Sequence, residues 1–401
     1  MTSLKKTAAN RWVILAAAFI VMMFISIYQY SWFLFSYAIQ REYSWSLSAV
    51  SFTFTIFAIT VTFIQPLSGY IADKIGPRIV ANVAAVLVGT GLIMSSYSAE
   101  IYFLYIFYGL GGIGVGMLYG ISTSSAIKWF PDRRGFATGV IVFGFGAGTA
   151  ILNFIIERLI EFYGISGCFK ILGILVLVIL LPLSFMYRFP IYDNEINDQN
   201  LQKNNYSYNP KEMLKTSQWY ILYTSFISTV SIVLILGAQM KNMASDMNLP
   251  KTYFSLAMIL FPLGNGLSRV ISGYISDKLG REKTMVLFFG ALSLTLFCFY
   301  LFHQASPILF VFVVFIAALL GGSPFALYPS IIGDYYGIKY ATANYGITYT
   351  AKAWAGLIAG WLSGYIVSQY GSYDLIILIV SILSLLAAIV SHPYILKKPK
   401  K

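Results

Sequence analysis

The sequence has few of the residues that soluble enzymes use for solubility and for chemistry. Only 10% of its 401 residues are charged, whereas a soluble globular chain has about a quarter. It contains two histidines and two cysteines, and Cys168 and Cys298 lie far apart. These shortages exclude a disulfide framework and a cysteine metal site. No nucleophile with a neighbouring base, metal cluster or cofactor site is indicated, so we do not expect an enzyme.

Apolar residues make up 58% of the chain. They form about twelve runs of roughly 20 or more residues, each long enough to cross a bilayer as a helix. We therefore predict an all-α polytopic membrane protein surrounded by lipid. The first run is too long for a cleaved signal peptide and counts as the first span. The spans are predicted at 12–39, 46–72, 79–98, 101–127, 135–160, 168–188, 218–241, 252–276, 284–303, 306–332, 340–368 and 373–395.

The net charge of +12 follows the membrane and does not indicate nucleic-acid binding. Twenty of the 27 lysines and arginines lie in segments on one side of the predicted spans, and five lie on the other. The positive-inside rule then places both termini in the cytoplasm, in a multi-pass protein of the plasma membrane. The two remaining cations, Arg269 and Lys352, fall inside spans.

One long polar stretch divides the spans into two sets of six. It predicts a first half at 1–188, a cytoplasmic linker at 189–217 and a second half at 218–401. "GYIADKIGPR" at Gly69 and "GYISDKLGRE" at Gly273 are separated by 204 residues, as are "FAT" at Phe136 and "YAT" at Tyr340. Two matches at one spacing indicate an internal duplication. Two parallel six-helix halves around a central site are typical of transporters.

The repeated loop and the twelve spans resemble the major facilitator superfamily over essentially the whole chain. The glycines of the loop suit close helix packing and a tight turn, and its aspartates suit a basic side chain or a helix terminus. Because the loop lies at the membrane edge, we interpret it as a gate and folding feature. Its residues are Gly69, Asp73, Lys74, Gly76 and Arg78 in the first half, and Gly273, Asp277, Lys278, Gly280 and Arg281 in the second.

A second glycine-rich stretch, "GLGGIG" at Gly109, matches a dinucleotide-binding fingerprint. That fingerprint has meaning only at a strand-to-helix turn. Here it lies inside the fourth span, so it predicts a close contact between membrane helices.

Arg269 and Lys352 are the most informative residues of the chain. The repeat offset maps them onto Gln65 and Gly148, so the duplication did not require a charge at either position. A charge at such depth costs at least about 2.5–3.5 kcal/mol on insertion scales and should face a cavity or a partner. A buried lysine can lose its proton, whereas arginine stays charged.

No acidic residue is predicted near the middle of the membrane, because all fifteen lie in loops or at span ends. An internal ion pair is therefore not expected. The bound substrate becomes the best candidate for the counter-ion, and it should be an anion. The alternative is that the two cations contact carbonyls, aromatic ring faces or lipid.

Aromatic residues accompany both cations. Tyr349 and Tyr345 precede Lys352 by one and two turns, and the first span carries Tyr28 and Trp32 next to Gln29 and Tyr30. Aromatic walls can position a small planar carboxylate through ring contacts and phenol donors. We therefore predict as substrate-binding the two cations and four of these aromatic residues: Arg269, Lys352, Tyr349, Tyr345, Tyr28 and Trp32.

Three further stretches resemble the oxalate:formate antiporter group within the wider monocarboxylate-transporter-like set. They are "NGLSR" at 265–269, "NYGITYTAKA" at 344–353 and "IKWFPDRRGFATG" at 127–139. The resemblance implies that Arg269 and Lys352 are dicarboxylate-binding cations, with Phe325 and Tyr328 beside them. The sequence departs from the group at "GGSPFALYP", where Gly321 and Phe325 stand in place of a tryptophan and a tyrosine. A larger pocket with one donor fewer would follow, favouring a bulkier or less charged carboxylate than oxalate.

These observations predict a secondary transporter of small mono- or dicarboxylates that works by alternating access, as an anion exchanger and as a monomer. Proton-coupled monocarboxylate symport through Lys352 is the main alternative. A non-transporting anion sensor is a further one, although it would need a signalling domain that the short tails do not supply.

Overall fold

The computed structural model describes residues 11–130, 134–189, 207–302, 306–337 and 341–399. Within these ranges all regular structure is helical. The helices form twelve rods, α1 to α12, joined mostly by short connections. This arrangement confirms the predicted all-α polytopic architecture.

The first half contains six rods. They are α1 (Arg11–Ile25, Ile27–Tyr30 and Trp32–Tyr43), α2 (Leu47–Ile75), α3 (Pro77–Ser95), α4 (Ile101–Trp129), α5 (Arg134–Ala147 and residues 149–163) and α6 (residues 165–184). A single helical stretch, Thr149–Ser184, contains the end of α5 and all of α6, and it turns at Gly164, where φ is 68°. The Glu42 carboxylate accepts the Ile165 N–H at 2.9 Å there and so caps the start of α6.

The second half repeats the arrangement. Its rods are α7 (Ser217–Asp246), α8 (Lys251–Leu279), α9 (Arg281–Phe302), α10 (Pro307–Gly321 and Pro324–Tyr336), α11 (Ala341–Tyr349, Ala351–Leu357, Ile358–Leu362 and Ser363–Tyr370) and α12 (Asp374–Val390). The Ile358–Leu362 piece of α11 is π-helical. Residues 207–216, the described end of the polar linker, pack on this half, where the Tyr208 N–H donates to the Tyr336 carbonyl at 2.9 Å.

By length and hydropathy alone, nine stretches of the described residues could cross a membrane. The difference from twelve has a structural cause. Gly139–Ser184 holds parts of two rods, breaks divide α11 into short pieces, and α12 has only 17 residues.

The two halves meet through three helix pairs: α1 with α7, α2 with α11, and α5 with α8. We call the end that carries the turns at Gly76 and Gly280 the motif end, and the opposite end the far end. These two glycines have φ near +90°, a conformation that other residues rarely adopt, so the repeated turn requires glycine in both halves.

The halves pack closely from the middle of the molecule to the far end, and less closely toward the motif end. A Cβ added at Gly146 of α5 would lie 2.9 Å from Gly266 Cα of α8, and one at Gly364 of α11 would lie 2.9 Å from Ser51 Oγ of α2. Toward the motif end, a Cβ at Gly139 of α5 or Gly69 of α2 would meet nothing within 4 Å. The structure is therefore closed at the far end.

Candidate functional site

Arg269 lies on α8 where that helix crosses α5. Small residues on this face of α8, such as Gly266, let the α5 backbone approach closely. The Arg269 Nη1 group donates to the Val142 carbonyl at 2.5 Å, across the boundary between the halves. Its guanidinium carbon lies 5.0 Å from the centre of the Phe325 ring. The side chain is 6% exposed, and its Nε atom has no hydrogen-bond partner.

Lys352 lies on α11 just after a break at Thr350. The Thr350 hydroxyl bonds back to the Ile347 carbonyl at 2.6 Å and to the Tyr223 hydroxyl of α7 at 3.0 Å, which fixes this segment against its own half. The Lys352 ammonium group donates to the Tyr349 hydroxyl at 3.4 Å. The residue is 2% exposed.

Tyr349 is the centre of an aromatic cluster between the two cations. Its ring centroid lies 5.7 Å from that of Tyr345, 6.1 Å from that of Tyr119 and 6.2 Å from that of Phe325. Phe145 of α5 closes the side near Lys352, whose ammonium lies 5.9 Å from its ring centre. Rings from both halves therefore surround the two cations.

Neutral polar groups complete the site. Tyr30 of α1 packs edge-on against Phe145 and Phe261, and it lies next to Asn265 and Gln29 and within electrostatic range of Arg269. The Tyr30 hydroxyl and the amide groups of Asn265 and Gln29 are buried without a hydrogen-bond partner. Buried polar groups are normally paired, so these groups are available to a ligand or water.

The ion pairs formed by the described residues lie at the ends of the rods, and none includes Arg269 or Lys352. At the far end, two pairs join the halves: Lys241 with Glu157 at 3.2 Å, and Lys251 with Glu161 at 3.1 Å. The alternative contacts, a carbonyl and aromatic ring faces, are present: Arg269 bonds to the Val142 carbonyl and lies by the Phe325 ring, and Lys352 lies by the Phe145 ring.

Comparison with known proteins identifies the architecture. A sequence model of the Major Facilitator Superfamily matches residues 14–238 and residues 231–401. The chain belongs to the major facilitator superfamily. It is thus a multi-pass membrane transporter and not an enzyme, as the sequence predicted.

Several relatives of this superfamily member are named as transporters of small organic anions. The chain is 32% identical over 378 residues to the oxalate:formate antiporter of Oxalobacter formigenes, covering 94% of this chain and 90% of that protein. It is 24% identical over 356 residues to a probable sulfoacetate transporter of Cupriavidus necator, covering 84% and 83%. Monocarboxylate transporter 9 of Gallus gallus is 39% identical over 117 residues, 29% of this chain and 23% of that one. The predicted resemblance is confirmed.

The structure of this superfamily member brings together five of the predicted site residues: Arg269, Lys352, Tyr349, Tyr345 and Phe325. Four residues that line the same region were not predicted as site residues, namely Tyr30, Tyr119, Phe145 and Asn265. A signal existed for Asn265, because it precedes Arg269 by one helical turn and so shares its face.

Two predicted residues lie elsewhere. The Tyr28 hydroxyl donates to the Val88 carbonyl at 2.6 Å, and Trp32 packs on Tyr108 with ring centroids 4.6 Å apart, both within the first half. Their predicted substrate-binding role stays a prediction, but the structure does not bring them to the region of Arg269 and Lys352. The reason is helix geometry: they are one turn apart and share a face, whereas Tyr30, about 200° round the helix from Tyr28, points to the second half.

Two inferences about α10 also change. Tyr328 is buried behind the site, where it stacks on Phe226 at 4.4 Å and shares a hydrogen bond with the Ser225 hydroxyl at 2.8 Å. Gly321 does not enlarge the pocket, since a Cβ there would lie 2.8 Å from Ile232 Cγ2. Side chains of α7 fill the space that a tryptophan would need. Phe325 lies beside Arg269 and has no hydroxyl group, so the predicted loss of a donor there stays a prediction.

The loop motif ties helices within one half. Arg281 pairs with Asp277 at 2.6 Å and with Asp334 of α10 at 3.1 Å. Lys74 and Lys278 each lie over a tyrosine ring four residues earlier, at 4.5 and 4.4 Å. Arg78 is half-buried in the first turn of α3, and the side chain of Asp73 lies outside the described part.

Glycine has different roles in the two motifs. Gly69 and Gly273 do not pack closely in this conformation, contrary to expectation, because a Cβ at either would meet nothing within 4 Å. The prediction for "GLGGIG" is confirmed, since a Cβ at Gly114 would lie 2.6 Å from the Ala84 carbonyl of α3.

Proposed function

We propose that this protein transports small organic anions, chiefly mono- and dicarboxylates, by alternating access. The observation that carries the proposal is the pair of buried cations, Arg269 and Lys352, which have no carboxylate partner among the described residues. Relatives named for oxalate, formate, monocarboxylates and sulfoacetate support the same class of cargo.

The site suits a planar carboxylate. Guanidinium groups bind carboxylates through two parallel hydrogen bonds, and Arg269 presents an unpartnered Nε atom. The ammonium of Lys352 can bind a second carboxylate on the other side of Tyr349. The unpaired Tyr30 hydroxyl and Asn265 amide can bind the remaining oxygens. When the site closes around an anion, the charges of Arg269 and Lys352 are buried together with the opposite charge of the anion.

The positive charge that the site carries when no anion is bound favours exchange. Two like charges that lack an anion resist enclosure in a region of low dielectric, so the loaded carrier should change conformation faster than the empty one. The bond from Arg269 to the Val142 carbonyl satisfies only one of five guanidinium donors. We therefore favour antiport.

Proton-coupled monocarboxylate symport is the second candidate. It is favoured by one observation: Lys352 is buried, and among the described residues its ammonium contacts a phenol and ring faces and forms no ion pair. It could therefore exchange a proton without breaking such a pair. Under this mechanism, uptake would follow a proton gradient without internal substrate.

Orientation follows from the charges. We infer that the motif end faces the cytoplasm, since twenty of the 27 basic residues are assigned to that side. Reaction of an impermeant thiol reagent with a cysteine placed at Tyr394, 82% exposed, would test this in intact cells. Labelling before the cells are opened would contradict the orientation.

Uptake of labelled oxalate, formate and sulfoacetate into proteoliposomes tests the function. Antiport predicts uptake that requires internal counter-substrate, and symport predicts uptake into empty vesicles under an inward proton gradient. Arg269→Gln should abolish uptake, while Arg158→Gln, at an exposed arginine, should not. Absence of uptake or binding for all carboxylates tried would overturn the proposal.

A further inference from the structure

The hydroxyl of Thr55, on α2, is inserted into the backbone of α11. It donates to the Gly356 carbonyl at 3.3 Å and accepts the Trp361 N–H at 3.0 Å. These two backbone groups are five residues apart, the spacing of one π-helical hydrogen bond. The π-helical piece Ile358–Leu362 lies at this point. A side chain of one half therefore hydrogen-bonds to two backbone groups of the other half, beside its π-helical turn.

The contact depends on the close approach of the two helices. Gly360 directly faces Thr55, and a Cβ there would also lie 2.6 Å from the Ser51 carbonyl. Gly356 in the same way faces Ala58. Ser51 accepts a hydrogen bond from Gln239 of α7 at 2.8 Å, which adds a second polar tie between the halves. Thr55 can reach the α11 backbone only while the far end is closed.

Opening of the far end must separate α2 from α11, and this removes the hydroxyl. The Gly356 carbonyl and the Trp361 N–H would then lose a hydrogen-bond partner inside the membrane, and rewinding of the π-turn would offer them a replacement within the helix. Rewinding a π-turn changes the rotation of the preceding residues about the helix axis. Lys352 precedes Gly356 by about one turn, roughly 6 Å.

We propose that Thr55 is a positioning residue that couples closure of the far end to the helical register of α11, and so to the placement of Lys352 in the site. The inference rests on the proposed transport function. The repeat supports a specific role, because the equivalent residue of α8, 204 positions on, is Ile259, which has no hydroxyl. The equivalent contact between α5 and α8 is made by Arg269 instead.

Three variants, at positions 55 and 53, test whether the Thr55 hydroxyl stabilises the closed far end. Thr55→Val removes it at similar shape, Thr55→Ser retains it, and Thr53→Val is the matched control, since the Thr53 hydroxyl is buried without a partner. Spin labels at Glu100 and Tyr370, in a background with Cys168 and Cys298 replaced by alanine, report the separation of the far ends by pulsed EPR. Both label positions are exposed.

Loss of two hydrogen bonds should raise the ratio of far-end-open to closed molecules by roughly five- to a hundredfold in Thr55→Val. Thr55→Ser and Thr53→Val should keep the wild-type distances. Equal distances in Thr55→Val and wild type, or an equal shift in Thr53→Val, would overturn the inference. The distances need no substrate, so this result stands apart from any failure to find transport.

A second measurement tests the link to Lys352. Oxalate affinity should fall in Thr55→Val relative to wild type, but Thr55→Val should have a smaller effect when Lys352→Gln is already present. Additive losses would show that Thr55 acts on the fold in general and would overturn its positioning role.

Discussion

Replacement of Arg269 by glutamine is the sharpest test of the site. It restores the residue type found at the equivalent position of the first half, Gln65. The change removes one bond to the Val142 carbonyl and one contact with the Phe325 ring. It also removes a charge buried to 94% in the middle of the molecule, since only 6% of the residue is exposed.

The effects on stability should largely cancel. A hydrogen bond from a charged donor contributes about 1.5–3 kcal/mol, and the cation–π contact contributes about 0.5–2 kcal/mol. Against this, the variant avoids roughly 2.5–3.5 kcal/mol for a charge at mid-membrane. The free energy of unfolding should therefore change by no more than about 2–3 kcal/mol, and the protein should remain folded.

The effect on binding should be much larger. Loss of one member of a desolvated charge pair costs about 2–5 kcal/mol, which corresponds to a roughly 30- to 4,000-fold weaker affinity. Arg269→Lys keeps the charge but lacks the planar guanidinium group. Its affinity for the anion should therefore lie between those of wild type and Arg269→Gln. Ligand-induced thermal stabilisation of the purified protein by oxalate and formate provides the measurement.

Arg158→Gln serves as the control, because Arg158 is 68% exposed and its pair with Glu161 is on the surface. The affinity of the Arg158→Gln variant for oxalate and formate should stay within about fivefold of that of wild type. If Arg269→Gln aggregates while Arg158→Gln does not, Arg269 has a structural role. If it is folded and binds as well as wild type, the two-cation site is wrong.

Three further predictions follow from the same geometry. Lys352→Gln should weaken binding of oxalate more than that of formate, because one cation suffices for one carboxylate; equal losses in titrations would argue against a two-cation site. Asp277→Asn should slow exchange by loosening Arg281 from α8, yet change equilibrium affinity by less than about threefold; a large loss of affinity would contradict this. Gly273→Val should fold normally, since nothing lies within 4 Å, but block closure of the motif end; an unchanged exchange rate would refute it.

The sequence was a good guide to the features that the bilayer imposes. The length of a span reflects the membrane thickness, so the helices could be placed by apolar length, and the repeat offset follows α2 and α8 from first to last residue. Arg269 and Lys352 stood out because charge in an apolar run is rare.

The choice of helix face was harder to predict. Tyr28 and Tyr30 lie in the same predominantly apolar stretch of α1, so hydropathy does not distinguish their faces. Only the packing of Tyr28 against Tyr108 and of Tyr30 against Phe261 does. The insertion of Thr55 into α11 has no local sequence signal, since it depends on a partner about 300 residues away. The filling of the Gly321 space by Ile232 depends in the same way on tertiary contacts.

The unpaired cations also have a consequence for membrane voltage. A site that carries two positive charges becomes neutral with a dianion and keeps one charge with a monoanion. Each uncompensated charge that crosses the full field is worth about 2.3 kcal/mol per 100 mV. We therefore expect exchange of like-charged anions to be insensitive to membrane potential, whereas exchange of a dianion for a monoanion should generate a current. The protein would then convert a difference in cargo charge into electrical work.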